Sequence, residues 1–115
     1  MYTKEEQQQI ANIILRQLGH PGRMKAMIGM SNVIFGDVDG DPYLQFTFKG
    51  SRQHNRCRII LNQSDTYTFQ LYQFSAKSAT CPLTYEQTDV YNDMLTETFE
   101  RETGLYLSLY AAQRR

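Results

Sequence analysis

The densest run of potential metal ligands is GDVDGDPYLQF, Gly36 to Phe46, in which Asp37, Asp39 and Asp41 alternate around Gly40. Carboxylates on alternate positions open an EF-hand calcium loop. That loop takes oxygens from positions 1, 3 and 5, needs glycine at 6, and closes with a bidentate glutamate at 12. Counted from Asp37 the acids fit, but Gly40 falls at position 4, Pro42 at 6 and Phe48 at 12. Asp39-Gly40 is instead a favoured pair for a tight type I′ turn, because both residues tolerate positive φ. The stretch therefore reads as a hairpin turn with Asp37 and Asp41 at the strand mouths, and no metal site is expected.

Nucleophilic chemistry has less to work with. Cys57 and Cys81 show no metal-binding spacing, and without a secretory signal they are expected as reduced thiols. Cys57 sits in an apolar strand pattern and reads as core filler, while Cys81 precedes Pro82 in a loop. His54 lies three residues before Cys57, yet the two span a loop and a strand, and no third residue is placed to orient them. His20, in LGHPG, follows a helix end. No phosphate loop, dinucleotide fingerprint, zinc signature or nucleophile elbow occurs. The expectation is a protein with no catalytic residue and no cofactor, not an enzyme.

The remaining chemistry is that of binding. Strand alternation puts Tyr43, Arg56, Arg58, Ile60 and Tyr72 on one outward face, beside Gln45 and Gln70. Tyrosine and arginine are enriched in protein interfaces. Aromatic platforms along a cationic path also suit single-stranded nucleic acid. An ordinary solvated sheet has the same composition. Those five residues are the candidate partner-binding set.

The elements that must position them are legible from periodicity. Thr3-Lys4-Glu5-Glu6 has the form of a capping box, and Ile10, Ile13, Ile14 and Leu18 recur at helical spacing. This predicts a helix over about Lys4 to Leu18, with Gly19 as a left-handed cap and Pro21 barring continuation. Met24, Met27 and Met30 lie three apart, the spacing of a short helical turn that fills the core. Strand-like runs follow at Val33–Asp37, Tyr43–Lys49, Arg56–Leu61 and Thr66–Phe74. Their inward sets are Leu44, Phe46 and Phe48, then Cys57, Ile59 and Leu61, then Tyr67, Phe69 and Leu71. Ser75 to Leu83 has room for a short edge strand. A second helix is expected to start at Thr84 or Thr88, bury Val90, Tyr91, Met94, Leu95 and Phe99, and stop at Gly104. The fold class is α+β: an N-terminal helix, an antiparallel meander of about four strands and a C-terminal helix. Residues 1–115 form a single two-layer domain.

Size and charge agree with that frame. The 115 residues are 41% hydrophobic and 12% aromatic, which suits one globular core and not wholesale disorder. No apolar run approaches the roughly 20 residues of a membrane span. MYTKEEQQQI places charges and amides where a signal peptide has its apolar run, so a cytoplasmic protein is expected. Formal net charge is zero, which disfavours broad nucleic-acid binding. The signs are nonetheless segregated. Lys49, Arg52, Arg56 and Arg58 fall in one acid-free stretch, while Glu86, Asp89, Asp93, Glu97, Glu100 and Glu102 face only Arg101.

ILRQLGHPGRMKAMIGMSNVIFG, RIILNQSDTYTFQLYQF and VYNDMLTETFERETGLYLSL together resemble a group of small proteins encoded by bacteriophages, prophages and related mobile elements. The shared features are Leu18-Gly19, Met27-Ile28-Gly29, Asn32, Asp65-Thr66-Tyr67 and Thr103-Gly104-Leu105. His20-Pro21 stands where a second glycine and a basic residue are common in the group. The resemblance implies a mobile-element accessory protein of unknown function and carries over no catalytic residue. Small non-enzymatic proteins of such elements often act on a host protein. The expected function is therefore protein binding, with inhibition of a host defence complex as one form. The alternative is a nucleic-acid-binding accessory protein.

Overall fold

The computed structural model describes residues 2–108; Met1 and residues 109–115 of the expected 1–115 domain lie outside the described residues. Helix α1 runs Lys4–Leu18 and opens on the expected capping box. Thr3 Oγ1 accepts from Glu6 N at 3.2 Å, and Glu6 Oε1 accepts from Thr3 N at 2.9 Å. Two first-turn amides are thereby satisfied. The buried row is Ala11, Ile14 and Leu18. Ile13, expected on that row, is 49% exposed, because one residue along a helix turns the side chain by about 100°.

Gly19 departs from its expected role. Its φ is 170°, extended backbone and not a left-handed cap. The chain passes straight into helix α2, Pro21–Ile28, with His20 as N-cap: its Nδ1 accepts from Arg23 N at 3.3 Å. Pro21 starts this helix, at a position where its missing N–H costs nothing. The absence of a side chain at Gly19 instead admits Met24, whose Sδ would lie 3.2 Å from an added Cβ. Met24 and Met30 are buried and Met27 packs against the core.

Among the described residues five strands form one antiparallel meander: β1 Ser31–Val38, β2 Asp41–Thr47, β3 Arg56–Leu61, β4 Tyr67–Tyr72 and β5 Leu83–Val90. Strand β5 is the main difference from the sequence reading, since it occupies the segment assigned to the start of the second helix. Thr84 and Thr88 cap nothing. Tyr85 turns inward, edge-on to Phe69 at 6.2 Å, and Val90 is buried opposite Tyr67. Pairing with β5 satisfies the N–H and C=O groups on that side of β4, and the burial of Tyr85 and Val90 adds to it. A short 3-10 turn, Asn92–Met94, leads into helix α3, Leu95–Thr103. Leu95 and Phe99 are buried as expected, while Tyr91, ahead of the helix, is 57% exposed.

The helices and the sheet make two layers, an α+β architecture with one core between them. Phe99 of α3 meets Phe48 at 5.1 Å and Phe46 at 6.1 Å, both from β2 or its end. Leu44, Ile59, Phe69 and Leu71 extend that floor under Ile14, Leu18 and Ile28. Among the described residues no helix lies over the opposite face of the sheet.

Phe69→Ala should cost about 3–5 kcal/mol in urea denaturation, from lost burial and the cavity left behind. In the β1–β2 turn Asp39 and Gly40 have φ of 52° and 91°. Gly40→Val should therefore cost about 1–3 kcal/mol, although no side chain lies near it, because a β-branched residue resists that backbone.

Candidate functional site

Strand register builds the uncovered face in rungs. Gln45, Arg58, Gln70 and Glu86 align across β2, β3, β4 and β5. Tyr43, Ile60 and Thr68 form the rung on one side, and Thr47, Arg56, Tyr72 and Leu83 the rung on the other. All five candidate residues thus lie on one face, as strand alternation requires.

Arg58 is the hub. Its Nε donates to Gln45 Oε1 at 2.8 Å, and its guanidinium sits 4.6 Å from the Tyr43 ring centroid and 5.8 Å from that of Tyr72. Tyr72 Oη donates to Gln70 Oε1 at 2.7 Å, and Gln70 Nε2 donates to Glu86 Oε2 at 2.6 Å. Burial pushes the Tyr72 phenol pKa up, against the opposing pull of Arg58. Tyr43 leans over β1: a Cβ added at Gly36 would come within 2.9 Å of its Oη. A glycine on an edge strand covered by a cross-strand ring is a recognised pairing device.

Arg56 forms a second, smaller cluster. It stacks on Phe74 at 4.8 Å, and its Nη1 donates to Cys81 Sγ at 3.4 Å. Its Nε is buried without a protein partner. Ile60 lies on the face but is only 8% exposed, closed in by its neighbours, and Gln45 is equally covered. The accessible parts of the candidate set are therefore Tyr43, Arg56, Arg58 and Tyr72.

The other chemical-looking residues are placed apart from this face. Asp37 Oδ2 accepts from Gly40 N at 3.0 Å and its Oδ1 from Gln7 Nε2 at 3.4 Å, so its carboxylate ties the turn to α1. Among the described residues no three His, Cys, Asp or Glu side chains converge as metal ligands would. Cys57 lies in the core, and burial drives its thiol pKa well up. His54 does not meet it: the buried imidazole Nδ1 is 2.7 Å from Thr84 Oγ1.

Sequence reasoning missed Gly36 and Glu86. Gly36 has no signal apart from its strand partner, while Glu86 is hidden by the helix assignment, and TYEQT holds no apolar alternation that would have marked a strand. No family model, curated protein or solved structure matches this chain. The face has to be interpreted from its own geometry.

Burial lowers the His54 pKa from its ordinary value of about 6.5, against an opposing pull from Glu102. The folded protein then binds fewer protons than the unfolded chain. The His54 contribution to stability is full above about pH 6.5 and is lost as pH falls through the lowered folded value. Urea midpoints of wild type and His54→Gln should diverge in slope below that pH, wild type falling more steeply. Superimposable slopes would refute the assignment.

Proposed function

We propose that the protein acts by binding another protein through the uncovered sheet face, as an accessory protein of a mobile element. One observation carries this reading. Arg58 is held between two tyrosine rings with only its Nε satisfied, so among the described residues no acceptor takes its two Nη groups. A guanidinium fixed in this way loses little entropy on pairing and presents the fork that matches a carboxylate. Arg56 lies on the adjacent rung of this face, two residues along the same strand, which favours an acidic patch as the docking surface. A host protein complex, such as a defence complex, is the class of partner that the mobile-element resemblance suggests.

A nucleic-acid role is supported less well. The Tyr43 and Tyr72 rings are engaged with Arg58, and Glu86 sits in the same rung network, which interrupts a cationic path.

Arg58→Glu with Tyr72→Ala tests the proposal. The double variant loses two cation–π contacts and two side-chain hydrogen bonds, a cost of about 1–3 kcal/mol that leaves a folded protein. Affinity capture from host lysate should recover a partner with wild type and with Arg16→Glu, a helix-surface control, but not with the double variant. Equal recovery by the folded double variant would remove this face as the site. Recovery of nucleic acid, with affinity falling steeply with salt, would favour the alternative.

A further inference from the structure

The sheet has two edges, and they differ. Strand β5 is blunted: Pro82 precedes it, Glu86 and Asp89 charge it, Asp89 has a φ of 58°, and its pairing with β4 shifts register twice. These are the devices that keep an edge from recruiting another strand. Strand β1 has few of them. Its sequence SNVIFGDV holds one charge, Asp37, already bonded to Gln7 and to the turn. Val33 and Ile34 are each 45% exposed. A register shift between Ser31 and Ile34 kinks the entry, which leaves Ile34–Val38 in unbroken register with β2.

We infer that Ile34–Val38 pairs antiparallel with the same segment of a second copy, joining two sheets into one. The segment can pair with itself about a twofold axis at Gly36, with its outer-face residues matched. Ile34 then faces Val38 of the other copy, Phe35 faces Asp37, and glycine meets glycine, where two backbones approach most easily. Ile34, Gly36 and Val38 share the uncovered face, so the apolar side chains meet there. The two Asp37 carboxylates are not opposite each other, so the pairing carries no like-charge clash. Because β5 is blunted, head-to-tail stacking of β1 on β5 is disfavoured, and association closes at a dimer instead of running on as a filament.

Sedimentation equilibrium over a dilution series tests this on the full chain. Wild type should show a reversible monomer–dimer equilibrium. Ile34→Lys, at an exposed position, should raise its dissociation constant by about tenfold or more, since each copy places a charge in the junction. Leu83→Lys on the opposite edge and Arg58→Glu on the face should leave it unchanged. The Arg58 variant also separates this inference from the partner-binding proposal. If Ile34→Lys fails to fold, amide exchange on wild type decides the matter: Ile34–Val38 should become more protected as concentration rises. A strictly monomeric wild type, a dimer indifferent to Ile34→Lys or broken by Leu83→Lys or Arg58→Glu, or concentration-independent exchange at β1 would each overturn it. So would protection of β1 only on addition of a foreign protein, which would make the edge a site for another chain's strand.

Discussion

Covering one face of a five-stranded sheet and leaving the other bare is the constraint from which the rest follows. It forces the strict alternation of β4 and fixes the register of β3 against it, where a slip of one residue would drive Arg58 into the core and Phe69 into water. It also fixes where the helices go. Both α1 and α3 must lie on the inner side, and the Phe46, Phe48 and Phe99 cluster holds α3 there. The fixing is polar as well as apolar. Thr96 Oγ1 donates to Leu18 O at 2.6 Å, satisfying a terminal carbonyl of α1 from a residue far along the chain. Tyr67 Oη donates to Gln17 Oε1 at 2.7 Å and ties the same helix end to β4.

The polar groups of the outer face bond to one another. They do so in a chain: Gln45 to Arg58, Tyr72 to Gln70, and Gln70 to Glu86. Each link is worth about 1 kcal/mol or less net, so the chain adds order more than stability. A surface whose rotamers are already fixed gives up less entropy when something docks on it. The buried Arg56 Nε runs the other way, since a polar atom without a partner costs stability unless it is used.

Much of this was legible in the sequence because each signal was local. Thr3 and Glu6 declare the first helix, Asp39-Gly40 the hairpin, and alternation in YLQF, RCRII and TYTFQLY the strand faces. The failures share a physical cause. Val90, Tyr91, Met94, Leu95 and Phe99 do recur at helical spacing, yet Val90 completes a strand because β4 needed a neighbour. A pattern five residues deep cannot report a hydrogen-bonding demand set by a strand ten residues upstream. Gly19 failed similarly: a helix-terminal glycine suggests left-handed backbone, but here its small size admits Met24, a tertiary reason invisible in the local sequence. At the site, strand parity placed Ile60 on the outer face but could not tell that its neighbours bury it.

The two faces of the sheet share a backbone but carry separate networks, an aromatic and aliphatic one inside and a cation–π and hydrogen-bonded one outside. The core draws on Phe46, Phe69, Leu71 and Phe99, all fully buried on the inner side. The cation–π contacts and side-chain hydrogen bonds of Arg58, Tyr43 and Tyr72 run to one another and to Gln45 and Gln70. The outer rungs can change composition at the cost of a few weak polar links while the inner rungs hold the register that positions them.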